Sequence, residues 1–140
     1  MLGDLIYKAK GKVIAQRILA VASQTKIENT ILLDGIMHGA VNITDTGTFV
    51  STAIDDSVYY SQGQGVITTK DRREVATWTA QGIKQHSIRD ENNNNSLFYG
   101  SAFYYTASKG KLAFLNNIMT AFKSEVDNAG NILNKEWEWK

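Results

Sequence analysis

The chain of 140 residues contains no cysteine and no proline. The lack of cysteine excludes disulfide frameworks, zinc–thiolate sites and a cysteine nucleophile. Neither sign of charge is in large excess, since 15 basic residues stand against 14 acidic ones. This balance does not predict a nucleic-acid partner. No apolar run approaches the roughly 20 residues that span a bilayer, and lysines interrupt the N-terminal segment where a secretory signal would lie. We therefore expect a cytoplasmic protein without nucleic-acid or membrane partners.

The chain has few residues of the kinds that form catalytic triads or metal sites. Its two histidines, His38 and His86, are far apart in the sequence. Residues 63–65 begin like a dinucleotide-binding fingerprint, but Thr68 stands where the third glycine belongs and no helix follows. Phosphate-binding loops, EF-hand loops and nucleophile elbows are absent. The sequence thus predicts neither a metal nor an organic cofactor.

Alternating apolar and polar residues, rich in β-branched and aromatic types, dominate the chain. With short turns between them they predict eight strands, at residues 3–22, 26–39, 46–54, 58–69, 74–85, 96–107, 120–126 and 132–139. Residues 110–117 depart from the alternation and predict one or two helical turns. The asparagine-rich residues 90–95 predict an exposed loop.

The length of these strands favours a barrel over a sandwich. A strand of about 12 residues spans roughly 40 Å, and long strands in a short chain expose their edges unless the sheet closes on itself. The connections are mostly short, as an up-and-down meander requires. We therefore predict an all-β protein, a single antiparallel up-and-down barrel of about eight strands that forms one domain over residues 1–140.

The charged turn at residues 70–73 predicts a register for the fourth and fifth strands. It brings Gly65 opposite Trp78 and Ile67 opposite Ala76. These small, apolar and aromatic residues suit the interior, and glycine leaves room for the indole. A slip of one residue would exchange the two faces.

Glycine is frequent inside these strand patterns, where it weakens a strand and needs a reason. The positions are Gly11, Gly35, Gly39, Gly63, Gly65, Gly82 and Gly100. One interpretation is structural: the glycines permit sharp bends, such as one expected at Gly11, and leave room for large neighbours. The other is functional: the missing side chains leave a lumen. An eight-stranded barrel is wide enough to hold one small ligand or to fill completely.

Arg17 shares a face of the first strand with Val13 and Val21. If that face points inward, the guanidinium needs a buried carboxylate or an anionic ligand. Glu125 and Glu136 on the closing hairpin are the candidate partners, because the last strand pairs with the first when the barrel closes. The alternatives place Arg17 at the barrel mouth and Glu136 on a solvated outer face.

Alternation divides the aromatic residues of the sixth strand between two faces. Phe98 and Tyr104 share the face that we expect to line the lumen. Tyr99, Phe103 and Tyr105 share the other. An aromatic band on the outside of a barrel is typical of subunit contacts. We expect a homo-oligomer, either a dimer or a trimer.

Residues 63–68 (GQGVIT), a charged turn and residues 76–82 (ATWTAQG) resemble small calycin-type barrels and are most similar to the allene oxide cyclase-like group. The tail, residues 111–117 leading to residues 137–139 (WEW), is similar to uncharacterised short archaeal or bacterial barrel proteins. The resemblance implies an eight-stranded antiparallel barrel, dimeric or trimeric, with an apolar lumen. It also implies binding or cyclisation of hydrophobic molecules without a metal or organic cofactor. No catalytic residue can be matched.

The sequence leaves three functions open. The first is a binding module that holds a small hydrophobic or amphipathic molecule in the lumen. Its expected lining comprises Arg17, Tyr59, Ile67, Trp78, Phe98 and Tyr104, with Glu125 or Glu136 as a buried acidic partner. The second is a cofactor-free cyclase or isomerase that uses the same lumen and at least one inward polar pair. The third is a structural oligomer with a filled barrel and an apolar outer patch.

Overall fold

The computed structural model describes residues 2–86 and 95–140, and within them the chain forms a closed barrel of eight antiparallel strands. The strands are β1 (Leu2–Ala20), β2 (Lys26–Met37), β3 (Val41–Ala53), β4 (Val58–Thr69), β5 (Val75–His86), β6 (Ser96–Tyr105), β7 (Ile118–Val126) and β8 (Asn131–Trp139). Each strand pairs with the next, and β8 pairs with β1. The predicted up-and-down barrel is confirmed. Of the expected asparagine loop, residues 90–94 lie outside the described residues.

The β4–β5 hairpin has the register that its turn predicts. Gly65 lies opposite Trp78, and Ile67 lies opposite Ala76. Ile67 and Ala76 are buried, whereas Val66 on the other face is 44% exposed. The face that the sequence assigns to the interior is therefore the interior face.

The longest strand, β1, pairs with both β2 and β8. The bend expected at Gly11 is not where its pairing is irregular, because Gly11 stays opposite Leu33. A Cβ atom at Gly11 would lie 2.0 Å from the carbonyl oxygen of Leu32, so glycine there permits β1 and β2 to approach closely. A β-bulge lies farther on, between Val13 and Ala15.

The third strand is longer than its sequence pattern, since β3 begins at Val41 rather than at residue 46. A tight turn brings Val41 opposite Met37. Strands disfavour residues such as Asn42 and Asp45, so alternation does not reveal the first part of β3. Asp45 nevertheless pairs across the sheet and points into the barrel, where only 3% of it is exposed.

One end of the barrel, the closed end, is covered by the segment between β6 and β7. This segment contains a 3-10 turn, Ala113–Leu115, inside the predicted helical region. No helix in the described ranges is long and apolar enough to cross a membrane. The Glu74 carboxylate holds the segment in place by accepting hydrogen bonds from the Leu112 N–H, at 3.0 Å, and from the Ser108 hydroxyl. The fully buried side chains at this end are Met37, Ile43, Ile67, Leu112 and Leu115.

The outer face of β6 is aromatic, as its alternation predicts. Tyr99, Phe103 and Tyr105 are between 40% and 52% exposed. Met119 of β7 lies beside Phe103 and is 49% exposed. Self-association through this face stays a prediction, which a monomeric mass in solution would contradict.

Candidate functional site

The half of the barrel away from the closed end, the open half, contains a cavity of about 80 Å³. Its walls are largely aromatic and include Phe49, Trp78, Phe98, Tyr104 and Phe122. The phenyl rings pack edge to face, with centroids 5.0 Å apart for Phe49 and Phe98 and 4.9 Å apart for Phe98 and Phe122. Aromatic pairs in this geometry attract each other, so the cavity walls are held in place before any ligand arrives.

Glycines make room for these rings. A Cβ atom added to Gly47 or Gly65 would lie 2.4 or 2.3 Å from the indole of Trp78. One added to Gly63 would lie 2.4 Å from the ring of Phe49. The structural interpretation of Gly63 and Gly65 is therefore confirmed, because aromatic side chains occupy the space that these glycines free. The cavity is the volume that remains between the rings.

Asp45 lies at the inner end of the cavity, on the inward face of β3. The Tyr7 hydroxyl donates a hydrogen bond to its Oδ2, and the Trp78 indole N–H donates one to its Oδ1, both at 2.8 Å. Burial raises the pKa of Asp45 from 3.8 to about 7, although both hydrogen bonds act to lower it. Near neutral pH this carboxyl therefore gains and loses a proton inside the wall of the cavity.

Glu136 is the second buried carboxyl in the cavity wall. Its Oε1 accepts hydrogen bonds from the Tyr104 hydroxyl at 2.6 Å and the Thr120 hydroxyl at 2.8 Å. Its Oε2 accepts one from the Asn134 side-chain amide at 2.8 Å. Burial raises the pKa of Glu136, and the charge of Glu136 further raises the pKa of Asp45. Both carboxyls are therefore biased toward the neutral form.

The hydrogen-bond partners of the two carboxyls are all neutral: two tyrosines, a tryptophan, a threonine and an asparagine. No basic side chain in the described ranges forms an ion pair with either one. The same ranges contain no group of three or more His, Asp or Glu side chains that could hold a metal ion. The arrangement can take up and release protons, and a protonated carboxyl can donate a hydrogen bond to a ligand.

The mouth of the cavity is polar. Lys84 of β5 lines it in a half-buried position, and burial lowers the pKa of its ammonium group. The hydroxyls of Ser51 and Ser61 form a hydrogen bond of 2.6 Å with each other. The Ser124 hydroxyl donates to the Asn134 side-chain oxygen at 2.5 Å. Among the described residues that line the cavity, Lys84 is the single basic one.

Four of the residues predicted from the sequence line the cavity, namely Trp78, Phe98, Tyr104 and Glu136. The structure brings them together from β5, β6 and β8. Ile67 shares the inward face but lies deeper, in the fully buried core of the closed end. The inward orientation of Glu136 excludes the alternative of a solvated outer position.

Two further candidates do not line the cavity. Tyr59 is half-buried at the mouth, directly opposite Lys84 and on the same face as Ser61. Glu125 is exposed on the outer face of β7. Because alternate residues of a strand point to opposite faces, the buried neighbour Ser124 requires Glu125 to point outward.

Arg17 lies outside the lumen, contrary to the predicted inward position. Its side chain is 71% exposed, and its guanidinium lies 3.5 Å from the Glu28 carboxylate. The β-bulge at residues 13–15 adds one residue to β1 and exchanges the two faces of the strand beyond it. Gln16 consequently takes the inward position, and its side-chain amide donates to the Asn29 side-chain oxygen at 3.0 Å.

The sequence prediction does not include Asp45 or Lys84. Lys84 follows Trp78 by an even number of residues in one strand, so alternation alone puts it on the inward face. Asp45 offers no such signal, because it precedes the predicted third strand at residues 46–54. Aspartate is also rarely buried, so composition gives no reason to place it in a core.

No protein-family model matches the chain, and no curated protein matches it in sequence. Solved structures do resemble it. The crystal structure of the conserved protein of unknown function RPA1785 from Rhodopseudomonas palustris has a TM-score of 0.76 at 9% identity, covering 99% of both chains. A protein with unknown function from Clostridium acetobutylicum ATCC 824 has a TM-score of 0.76 at 11% identity, covering 97% of this chain and 95% of that one. At these identities the likeness shows the barrel fold alone.

Proposed function

We propose that the barrel binds a small amphipathic molecule whose apolar part enters the lumen through the open half. The observation that supports this function best is the cavity of about 80 Å³ between aromatic walls, with a closed inner end and a polar mouth. Apolar clefts with a few placed polar groups are the usual form of small-molecule sites. The apolar lumen implied by the resemblance to calycin-type and allene oxide cyclase-like barrels agrees with this function.

The size of the cavity restricts the ligand. About 80 Å³ is roughly half of the ~150 Å³ of an apolar cavity that binds benzene. A ring therefore exceeds the enclosed space, whereas an unbranched alkyl chain is narrow enough to pass between the phenyl rings. The rest of such a chain extends through the mouth. A straight-chain molecule is accordingly the expected ligand.

Straight-chain alcohols test the proposal. In isothermal titrations from 1-butanol to 1-decanol, the affinity should rise about fourfold per methylene until the chain fills the lumen, and then level off. Cyclohexanol should bind more weakly than 1-hexanol. Native mass spectrometry under gentle and then denaturing conditions is the complementary measurement. An excess mass that denaturation releases would give the weight of a co-purified ligand, and the same spectra give the number of subunits.

Two matched substitutions locate the binding. Ala102 lines the cavity and is 4% exposed, so Ala102→Leu should fill the space and abolish alcohol binding. Ala121 is half-buried on the outer face of β7, and Ala121→Leu should leave binding unchanged. Circular dichroism verifies that both variants fold. Binding that ignores chain length, or that survives Ala102→Leu, would contradict a lumen site and favour the structural oligomer.

A proton-transfer enzyme is the second candidate, and the position of Asp45 favours it. A carboxyl with a pKa of about 7 in the wall of an apolar cavity suits general acid–base chemistry at neutral pH. Ionised Asp45 would take a proton from the carbon next to a ligand carbonyl, while neutral Glu136 donates a hydrogen bond to the enolate oxygen. Asp45 would then return a proton to that carbon, so the cycle balances without a cofactor.

Incubation with 2-octanone in D₂O tests this step. The protein should accelerate deuterium uptake at the carbons beside the carbonyl, as measured by mass spectrometry. Asp45→Asn should lose the acceleration. Asp55→Asn, at an exposed turn, is the control and should keep it. Uptake no faster than in buffer would exclude the enzyme while leaving the binding function intact.

A further inference from the structure

Lys84 takes no part in the hydrogen bonds to Asp45 and Glu136. It lies at the mouth of the cavity, with Tyr59 on one neighbouring strand and Phe98 on the other directly opposite it. It has no hydrogen bond or ion pair with the part of the chain that the structure describes. A partly desolvated ammonium group without a partner is unfavourable, and an anionic group on a ligand would remove that penalty.

Hydroxyl donors lie close to Lys84. Ser61 pairs with Gly82, which is two residues before Lys84, and such diagonal neighbours on one face of a sheet are about 7–8 Å apart. The hydrogen bond between Ser61 and Ser51 uses one of their two hydroxyl protons, so the other is left to donate. Both serines line the cavity. Lysine and serine together thus form a cradle for a small anion.

The buried carboxyl of Asp45 is far from this cradle. Trp78, which donates to Asp45, precedes Lys84 by six residues, or about 20 Å of strand. A strand tilt of about 40° reduces the separation along the barrel axis to about 15 Å. An anion at Lys84 is therefore well separated from Asp45, whereas Glu136 is linked to the polar mouth by the hydrogen bonds of Asn134 and Ser124.

We infer that the ligand is a straight-chain carboxylate, held by its carboxylate group at Lys84 and the Ser51–Ser61 pair, with its alkyl chain between the phenyl rings. This inference rests on the proposed binding function and specifies its ligand class. We assign the ligand's charged group to the mouth, where Lys84 has no ion pair with the described residues. It is not assigned to the inner end, where every carboxyl oxygen already accepts a hydrogen bond.

Three eight-carbon probes with different head groups test the inference by titration at neutral pH. The protein should bind octanoate about tenfold more tightly than 1-octanol, and it should bind octylamine more weakly than either. Lys84→Met keeps the apolar stem but removes the charge, so it should abolish the preference for octanoate and retain 1-octanol binding. Lys123→Met, on the exposed outer face of β7, is the matched control and should change neither affinity.

Different failures overturn different statements. Equal affinity for octanoate and 1-octanol, or an octanoate preference that survives Lys84→Met, overturns the head-group site and leaves the binding function in place. A preference for octylamine also overturns it and assigns the head group to Asp45 and Glu136. Failure of all three probes to bind overturns the proposed function itself. Retained 1-octanol binding by Lys84→Met separates the loss of a charge from the loss of the fold.

Discussion

The two halves of the barrel interior differ, although the same strands run through both. Around the closed end the inward side chains are mainly aliphatic and several have no exposure at all. In the open half the inward positions hold serine, asparagine, lysine and phenylalanine around a cavity. Every buried polar side-chain atom in the described part of the chain has a hydrogen-bond partner. The difference indicates that packing in the closed half stabilises the fold, which allows the open half to keep empty volume.

A hydrogen-bonded layer lies between the two halves. It consists of Asp45 with its donors Tyr7 and Trp78, and of Glu136 with its donor Tyr104. Trp78 and Tyr104 also form part of the cavity wall. The polar layer therefore joins the packed core to the ligand site, and a change in its protonation affects both.

The largest expected effect comes from emptying the closed half. Leu112→Ala removes fully buried methyl groups and should lower the free energy of unfolding by about 4 kcal/mol. Leu33→Ala makes the same chemical change beside the existing cavity and should cost about 2–3 kcal/mol, because one side of Leu33 already faces empty space. Urea unfolding of both variants measures the difference. Equal losses would remove the distinction between the halves.

The polar layer should make stability depend on pH. Folding raises the pKa of Asp45 from 3.8 to about 7, so between these values the native state holds a proton that the unfolded chain releases. The free energy of unfolding should therefore fall as the pH rises through this window, by up to about 1.4 kcal/mol per pH unit, and level off above it. Burial raises the pKa of Glu136 as well, which adds to the slope.

Two asparagine variants isolate the source of this slope in urea unfolding across the window. Asp45→Asn cannot titrate and should reduce the slope to the part that Glu136 contributes. Asp55 is exposed, and a hydrogen bond from the Ser57 backbone N–H lowers its pKa. Asp55→Asn should therefore shift the free energy of unfolding by the same amount at every pH in the window and leave its slope unchanged. Stability that rises with pH in the unmodified protein would contradict a neutral Asp45.

Much of the fold is predictable because it rests on short-range, repeated signals. A two-residue period identifies a strand, and a short turn fixes the neighbour and register of the next strand. The turn at residues 70–73 alone predicts that Gly65 lies opposite Trp78. The inward positions of Phe98 and Tyr104 follow from the same alternation.

The site is less predictable because it depends on irregularities and distant partners. The β-bulge at residues 13–15 has no signal in the composition, yet it reverses the facing of Arg17 and Gln16. The burial of Asp45 depends on donors 38 and 33 residues away, Tyr7 and Trp78. A pattern confined to one strand does not contain that information.

A smaller effect tests how firmly the cavity walls are held. A Cβ atom at Gly65 would lie 2.3 Å from the Trp78 indole and 2.7 Å from the Thr46 carbonyl oxygen, so Gly65→Ala forces the ring to move. The expected loss is about 1–3 kcal/mol, with a change in near-ultraviolet circular dichroism. Gly3→Ala is the control, because its added Cβ atom would meet the flexible Lys140 side chain and lie 3.2 Å from the Glu138 carbonyl oxygen, so its effect should be smaller than that of Gly65→Ala. An unchanged aromatic spectrum in Gly65→Ala would mean that the walls are mobile.

The smallest expected effect distinguishes the two faces of β1 at the open end. Gln16 donates to the buried Asn29, so Gln16→Ala leaves an amide oxygen without its partner and should cost about 1 kcal/mol. Arg17 forms an exposed pair with Glu28, and Arg17→Ala should stay within about 0.5 kcal/mol. An inward Arg17 would reverse this order, because its removal would leave a buried carboxylate uncompensated. Urea unfolding of the two variants thus decides which residue faces the lumen, and a larger loss for Arg17→Ala would contradict the bulge.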